Sequence, residues 1–226
     1  MLSLHQGVGT GLLPCPGEAV LDASLGHVAR VSADERRRLL VQAAIQVMAR
    51  DGVAQATTRS IVAEADMPLG TFHYCFRSKE ELLEQVITTI TGHTLAPALE
   101  IIEGPGTLEE KLRGGLASYW QHVLDNPDEH RVTYELTQYA TRSPALAEVA
   151  RLQYRTYLDA HTTVIETLAA SAGVRWTVDV AVLARYLTAI VDGLTLLYLN
   201  EGDAETAGAA IDLAATQLLG LVEQPS

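Results

Sequence analysis

Three helix-start signals, each followed by apolar residues at three- and four-residue intervals, commit most of this 226-residue chain to helix. Ser32-Ala-Asp-Glu35, Ser78-Lys-Glu-Glu81 and Thr107-Leu-Glu-Glu110 all have capping-box spacing. The first opens a stripe through Leu39, Leu40, Ala43, Ala44, Val47 and Met48 that Gly52 stops. Behind the second come Leu82, Leu83, Val86, Ile87 and Ile90, running toward Ile102 with a kink expected at Pro97. The third leads Leu112, Leu116, Trp120, Val123 and Leu124 up to Asn126-Pro127. Between the first two lie short helices at 57–65 and from Pro68, placed at a first helical position, to Phe76. Beyond the third, helices are expected at about 128–142, at 144–171 with Ser143 as cap, at 177–201 and at 204–222. No β-branched alternation bounded by turns occurs, so the expected fold is all-α, without a sheet.

Composition narrows the class. Hydrophobic residues are 48% and charged residues 19%, a globular balance that argues against wholesale disorder. Cys15 and Cys75 are the only cysteines and form no CxxC pair, which disfavours a disulfide scaffold or a zinc module and suits a cytoplasmic setting. Residues 1–31 are rich in Gly and Pro and lack the basic start of a secretory signal; they read as a mobile extension with a short helix near Leu21–Arg30. Segment 177–201 is apolar enough to suggest a bilayer span. Arg185 and Asp192 oppose that, at roughly 2.5–3.5 kcal/mol each near a bilayer centre, so a buried helix and no membrane contact are expected.

A net charge of −12 argues against nucleic acid, but its distribution is uneven. Within residues 32–79, seven basic side chains stand against five acids, a local +2, and the acidic excess falls after residue 80. That basic segment coincides with the two short helices joined at Asp66-Met67. Such a pair fits a helix-turn-helix, whose second helix enters a DNA major groove about 12 Å wide.

The residues in this segment are more specific than the pattern. Thr57-Thr-Arg-Ser-Ile61, Ala65, Gly70-Thr-Phe-His-Tyr-Cys-Phe76 and Ser78-Lys79-Glu80-Glu-Leu82 resemble the DNA-binding domain of the TetR (tetracycline-repressor) family over residues 36–86. The resemblance implies a three-helix DNA-binding domain over 32–78 and a helical effector-binding and dimerisation domain over 79–226. Asp66 stands where the family usually has Gly, Val62 for a common Ala, Pro68 for Ser or Thr, His73 for Tyr, and Cys75 for Tyr or His. The last three lie in the reading helix, so no relative's operator can be transferred. Leu69, Gly70, Thr71, His73 and Tyr74 are the expected readers; Thr58, Arg59 and Lys79 the expected phosphate clamps; Arg36, Arg37 and Arg38 flanking charge. Phe72 and Phe76 are expected in the core, with Cys75 a small buried residue. No metal is expected, His73 having no second ligand three or four residues away, and no cofactor.

In the acidic remainder, Arg185, Thr188, Asp192 and Thr195 make one polar stripe along an apolar helix. Tyr154, Tyr157 and His161 repeat the spacing, as do Tyr134 and Gln138. With Trp120, these polar-tipped side chains (Tyr134, Gln138, Tyr154, Tyr157, His161, Asp192) are expected to line a small-molecule pocket. The last helix carries Ala204, Ala207, Gly208, Ala210, Ala214 and Ala215, small residues that, with helix 177–201, resemble the family's dimerisation face. The leading expectation is a dimeric, ligand-responsive regulator, most simply a repressor on a pseudo-palindromic operator. Two others stand beside it: a helical protein-binding module without DNA function, and a helical enzyme using Glu135, His161 and Asp192 as acid or base groups.

Overall fold

A computed structural model describes residues 32–223, and the expected helix near Leu21–Arg30 lies outside them. Local capping chemistry places the first four helices. Ser32 accepts from the Glu35 N–H and starts α1 (Ala33–Asp51). A reciprocal Thr57–Ser60 capping box starts α2 (Thr58–Glu64). Next comes α3 (Leu69–Cys75), in which Pro68 is the N-cap, one position earlier than expected, with ψ 146° still extended. Ser78 starts α4 (Lys79–Glu103), which continues through Pro97 although that residue has no N–H to offer the His93 carbonyl.

The turn from α2 to α3 depends on Asp66. Its φ of 51° is left-handed, which lets the Met67 N–H reach the Val62 carbonyl at 2.8 Å and its own N–H reach Ala63 at 3.2 Å. That pair of bonds is a Schellman closure normally made by Gly, and Asp substitutes for it at some steric cost. Met67 then packs on the core.

Thr107 and Glu110 form the capping box of α5 (Leu108–Asp125), and α6 (Pro127–Thr141) follows at once. A 3-10 turn at Pro144–Leu146 precedes α7 (Ala147–Ala172), so the helix expected from residue 144 begins three residues later, and Ser143 makes no capping bond. Similarly, α8 (Val180–Glu201) starts at an Asp179 cap, after Thr177 has been drawn aside by the Leu221 carbonyl. The last helix is α9 (Ala204–Leu219). No sheet occurs among the described residues, whose only bridge joins Trp176 to Val222.

Two apolar clusters hold the helices together. The first runs from α1, α2 and α3 through Leu82, Val86 and Ile90 of α4 into Val132 and Leu136 of α6 and Val149 of α7. The other joins Ile102, α5, α7, α8 and α9. Position 78 is therefore no break in the core, because α4 belongs to both clusters. By length and composition α8 could cross a membrane, with mean hydropathy 1.7, yet Leu183, Leu187, Thr188, Val191 and Thr195 on it are buried within this chain.

Part of the small-residue stripe of α9 is turned into this chain, while Ala204, Gly208 and Ala210 are only half-buried. Ala207, Ala214 and Ala215 are buried, and a Cβ on Gly208 would lie 3.3 Å from the Trp120 indole nitrogen. They allow α9 to lie close on α5, and the surface left exposed is larger and apolar: Val182, Tyr186, Leu196 and Leu197 on α8, with Leu213 on α9.

Candidate DNA-reading head and effector cavity

Helix α3 has one buried face and one exposed face. Phe72 and Phe76 are 1% exposed, with ring centroids 5.6 Å apart, and they anchor the helix in the first cluster. Cys75 packs beside them. Leu69, Gly70, His73 and Tyr74 lie on the opposite face and are exposed, Tyr74 by 70%, with Thr71 half-buried at the edge. The expected readers thus share one surface. Above it the Arg36 guanidinium sits 5.4 Å from the centre of the Tyr74 ring.

The expected clamps divide. Arg59 is exposed at the first turn of α2 and makes no salt bridge to any described residue, and Thr58 adjoins it. Lys79 is half-buried instead, its ammonium 5.8 Å from the centre of the Tyr139 ring on α6, and burial lowers its pKa. Arg37 and Arg38 are not free flanking charges. Arg37 donates to the Cys75 carbonyl and to Glu81 and lies 4.4 Å from the Phe76 ring centre, while Arg38 pairs with Glu35 at 2.6 Å. Of the three, Arg36 alone remains beside the reading face.

Farther along the chain, α4, α5, α6, α7 and α8 enclose a cavity of about 90 Å³. At roughly 10–15 Å³ for each water, that is room for a ring-sized molecule. Its wall is largely apolar, with Ile90, Leu95, Ile102, Leu112, Leu116 and Val191, and its polar groups are Thr91, Thr94, Tyr119, His130, Thr133, Tyr134, Tyr157, His161 and Asp192. Four expected residues therefore meet there: Tyr134, Tyr157, His161 and Asp192.

The other three do not. Trp120 is buried against Tyr198 and Gly208, at the α5–α9 contact. Gln138 lies on a shallow surface depression with Glu135 and Arg142. Tyr154 is 39% exposed, outside the cavity, its ring 5.7 Å from that of Tyr157 and its hydroxyl beside the Asp192 carboxyl. Tyr119, His130 and Thr133 are additions. They occupy faces whose inward orientation depends on how α5 and α6 pack, which no spacing along a single helix reports.

Hydrogen bonds fix what the cavity offers. The Thr188 hydroxyl donates to the Ala184 carbonyl at 2.8 Å, so its 2.7 Å contact with His161 Nδ1 requires that nitrogen to carry the proton. His161 Nε2 is then a bare acceptor. Tyr134 donates to the Asp192 carbonyl oxygen at 2.9 Å, with Asp192 Oδ1 3.4 Å away, and Tyr119 pairs with Thr195 at 2.8 Å. Burial raises the Asp192 pKa against the lowering effect of the Tyr154 and Tyr134 hydroxyls, and it pushes Tyr157 up to about 12. The same burial pushes His161 down to about 4, as it does His130 with help from the neighbouring His122.

A pH dependence follows for His161. An unfolded histidine takes its proton near pH 6.5, whereas the folded one resists until about 4, so the unfolded state binds more protons between those values. The stability this group contributes is complete above pH 6.5 and is lost as pH falls toward 4. Urea unfolding should show His161→Asn losing about 2 kcal/mol less than the parent between pH 7 and pH 5. Equal losses in the two proteins would mean that His161 titrates normally.

Glu135 stands apart from this cavity. Its carboxylate accepts from the Val53 N–H at 2.8 Å and lies 3.1 Å from where a Cβ on Gly52 would be, so it ties α6 to the loop after α1. The expected acid–base grouping of Glu135 with His161 and Asp192 is therefore not assembled.

Comparison with known proteins follows the same division. Residues 40–86 match the family described as bacterial regulatory proteins, tetR family, and residues 108–223, just over half the chain, match the BetI-type transcriptional repressor, C-terminal. The HTH-type nicotine-responsive transcriptional repressor HdnoR of Paenarthrobacter nicotinovorans is 27% identical over 169 residues, covering 75% of this chain and 86% of that protein. A transcriptional regulator from Rhodococcus sp. Rha1 has the same fold, with TM-score 0.65 and 22% identity over 84% of this chain and 99% of that one. So does FadR from Bacillus subtilis in complex with stearoyl-CoA, with TM-score 0.65 and 19% identity over 82% of this chain and 99% of that one. The resemblance first carried by residues 36–86 extends, through the repressor-type match, over the C-terminal half where sequence reading found little beyond helical layout. This chain belongs to the TetR family of bacterial regulatory proteins and is a transcriptional repressor.

Proposed function

We propose that the chain works as a cytoplasmic two-fold dimer which holds a pseudo-palindromic operator and releases it when a small amine enters the cavity. The observation that carries this reading is the place of α4. Its Ser78 cap stands next to the reading helix, and its Ile90, Thr91, Thr94, Leu95, Ala98 and Ile102 form one wall of the cavity. A ligand that displaces this wall moves the reading head. It shifts the equilibrium only so far as it binds the two states differently.

The amine follows from charge. Asp192 is the one acid lining the cavity, no Lys or Arg lines it, and both of its histidines are held neutral near pH 7. An anionic ligand would find no cation there, whereas a protonated amine pairs with the Asp192 carboxylate and finds tyrosine rings beside it. The nicotine response named for the Paenarthrobacter relative agrees with such a class, and the anionic acyl-CoA of the Bacillus structure would meet no Lys or Arg in this cavity.

For the DNA side, Leu69, Gly70, Thr71, His73 and Tyr74 read bases, and Thr58 and Arg59 hold phosphates. Lys79 joins them only if its ammonium leaves Tyr139. The exposed apolar residues of α8 and α9 supply the dimer face, which spaces two heads about one helical turn apart. We read the protein as non-enzymatic.

Selection of bound sequences from a random DNA pool tests the assignment. Thr71→Ala and Tyr74→Ala should change the ranking of selected sites, while Arg59→Ala keeps the ranking and reduces the salt slope of binding by about one unit. Unchanged rankings in both reading-helix variants would move base recognition elsewhere.

A further inference from the structure

We infer that His93, His122 and Glu129 form a binding site for a divalent transition-metal ion of the zinc class, clamping α4 to the junction of α5 and α6. The three residues come from three different helices. Glu129 Oε2 lies 3.0 Å from His93 Nδ1 and 3.3 Å from His122 Nε2, and all three ligand atoms lie within 4.8 Å of one another. Zinc bonds of about 2.0–2.2 Å in a tetrahedron place ligand atoms about 3.3 Å apart, so two of the three separations already suit an ion and the third needs only a side-chain adjustment. Two imidazoles and one carboxylate leave a fourth position for water.

Hydrogen bonding favours an ion over a plain ion-pair cluster. His122 Nε2 is buried and has no hydrogen-bond partner of acceptable geometry, although a carboxylate oxygen stands only 3.3 Å away. Its other nitrogen, Nδ1, is 3.3 Å from the Asn126 side-chain amide. With the amide turned so that its oxygen accepts from Nδ1–H, Nε2 presents a lone pair toward Glu129, an arrangement that a cation between them satisfies. The outer partner that a metal-bound imidazole needs is thus in place. His93 is exposed, so an ion has a way in, while Glu129 and His122 are largely covered.

The position gives the ion something to hold. Pro97 leaves the His93 carbonyl without its helical donor, so α4 is least braced by its own backbone at the residue that supplies a ligand. On the other side, the His122 ring is 5.4 Å from that of His130, which lines the cavity. Linear spacing could not show the site, because metal-ligating histidines are sought three or four residues apart and these ligands sit at 93, 122 and 129.

Calorimetric titration of the tag-free full chain with ZnCl2, in a buffer that does not chelate, is the test. One equivalent should bind in the parent, and His93→Gln and Glu129→Gln should each weaken it at least ten-fold, as the loss of one of three ligands requires. At 100 times its dissociation constant, the ion should raise the parent's Tm by about 5–10 °C and leave His93→Gln nearly unmoved. Circular dichroism of both variants without metal checks that they fold, and Co2+ in place of Zn2+ should give visible bands of four-coordinate cobalt in the parent alone. No binding in the parent, or the same stoichiometry and affinity in folded variants, overturns the site and assigns any bound zinc to other side chains.

Discussion

Phe72→Ala should destabilise the protein by about 3–5 kcal/mol and abolish sequence-specific operator binding, the largest single effect expected in the reading head. The ring is 1% exposed and sits against Phe76 in the cluster that joins α1, α2 and α3 to α4. Its removal leaves a cavity beneath a seven-residue helix that has no side-chain cap and cannot hold its shape alone. Urea unfolding followed by far-ultraviolet circular dichroism gives the loss directly. Tyr74→Ala, on the exposed face of the same helix, should change stability by less than about 0.5 kcal/mol. Similar losses in the two variants would mean that α3 is not oriented as described.

The second large effect concerns the cavity. Asp192→Asn should weaken binding of a small protonated amine by about thirty-fold or more, because removing one partner of a buried charge pair costs about 2–5 kcal/mol. The unliganded protein should behave in the opposite way. Burial raises the Asp192 pKa, so the ionised carboxylate destabilises the fold, and that penalty grows as pH rises from the unfolded value near 3.9 through the raised folded one. Asn carries no such charge and keeps an oxygen for Tyr134, so the variant should melt higher than the parent at pH 7. A residue serving only as scaffold would give a lower Tm with no selective loss of amine binding. Operator affinity without ligand should remain within a few fold.

How far these sites were legible follows from which interactions are local. Caps, breaks and the left-handed turn at Asp66 are encoded within four or five residues, and α1, α2, α4 and α5 start at the capping residues the sequence names. Where a boundary depends on a distant partner, the reading shifts by a few residues. The Leu221 carbonyl draws Thr177 away from α8, and the chain before α7 tightens into a 3-10 turn. The cavity was half legible for a related reason. Spacing of three and four identifies residues on one face, which placed Tyr157 with His161 and set Asp192 on a polar stripe, but it does not say what that face meets. Trp120 shares its stripe with Leu112 and Leu116, yet the packing of α9 claims it, and Tyr119, one residue earlier, reaches the cavity instead. The same limit applies to the small residues of α9. Small residues permit close approach without specifying whether the neighbour is another chain or, as with Gly208 and Trp120, the same one.

If the cavity and the reading head share one equilibrium through α4, the coupling between them must be reciprocal. The direct measurement is the dissociation constant of one small aromatic amine for the parent protein, by calorimetry, with and without saturating amounts of a DNA site selected from a random pool. DNA should weaken amine binding by the same factor by which the amine weakens DNA binding, a factor of about 5–150 for a typical coupling of about 1–3 kcal/mol. Equal amine affinities for the free and the DNA-bound protein would contradict it.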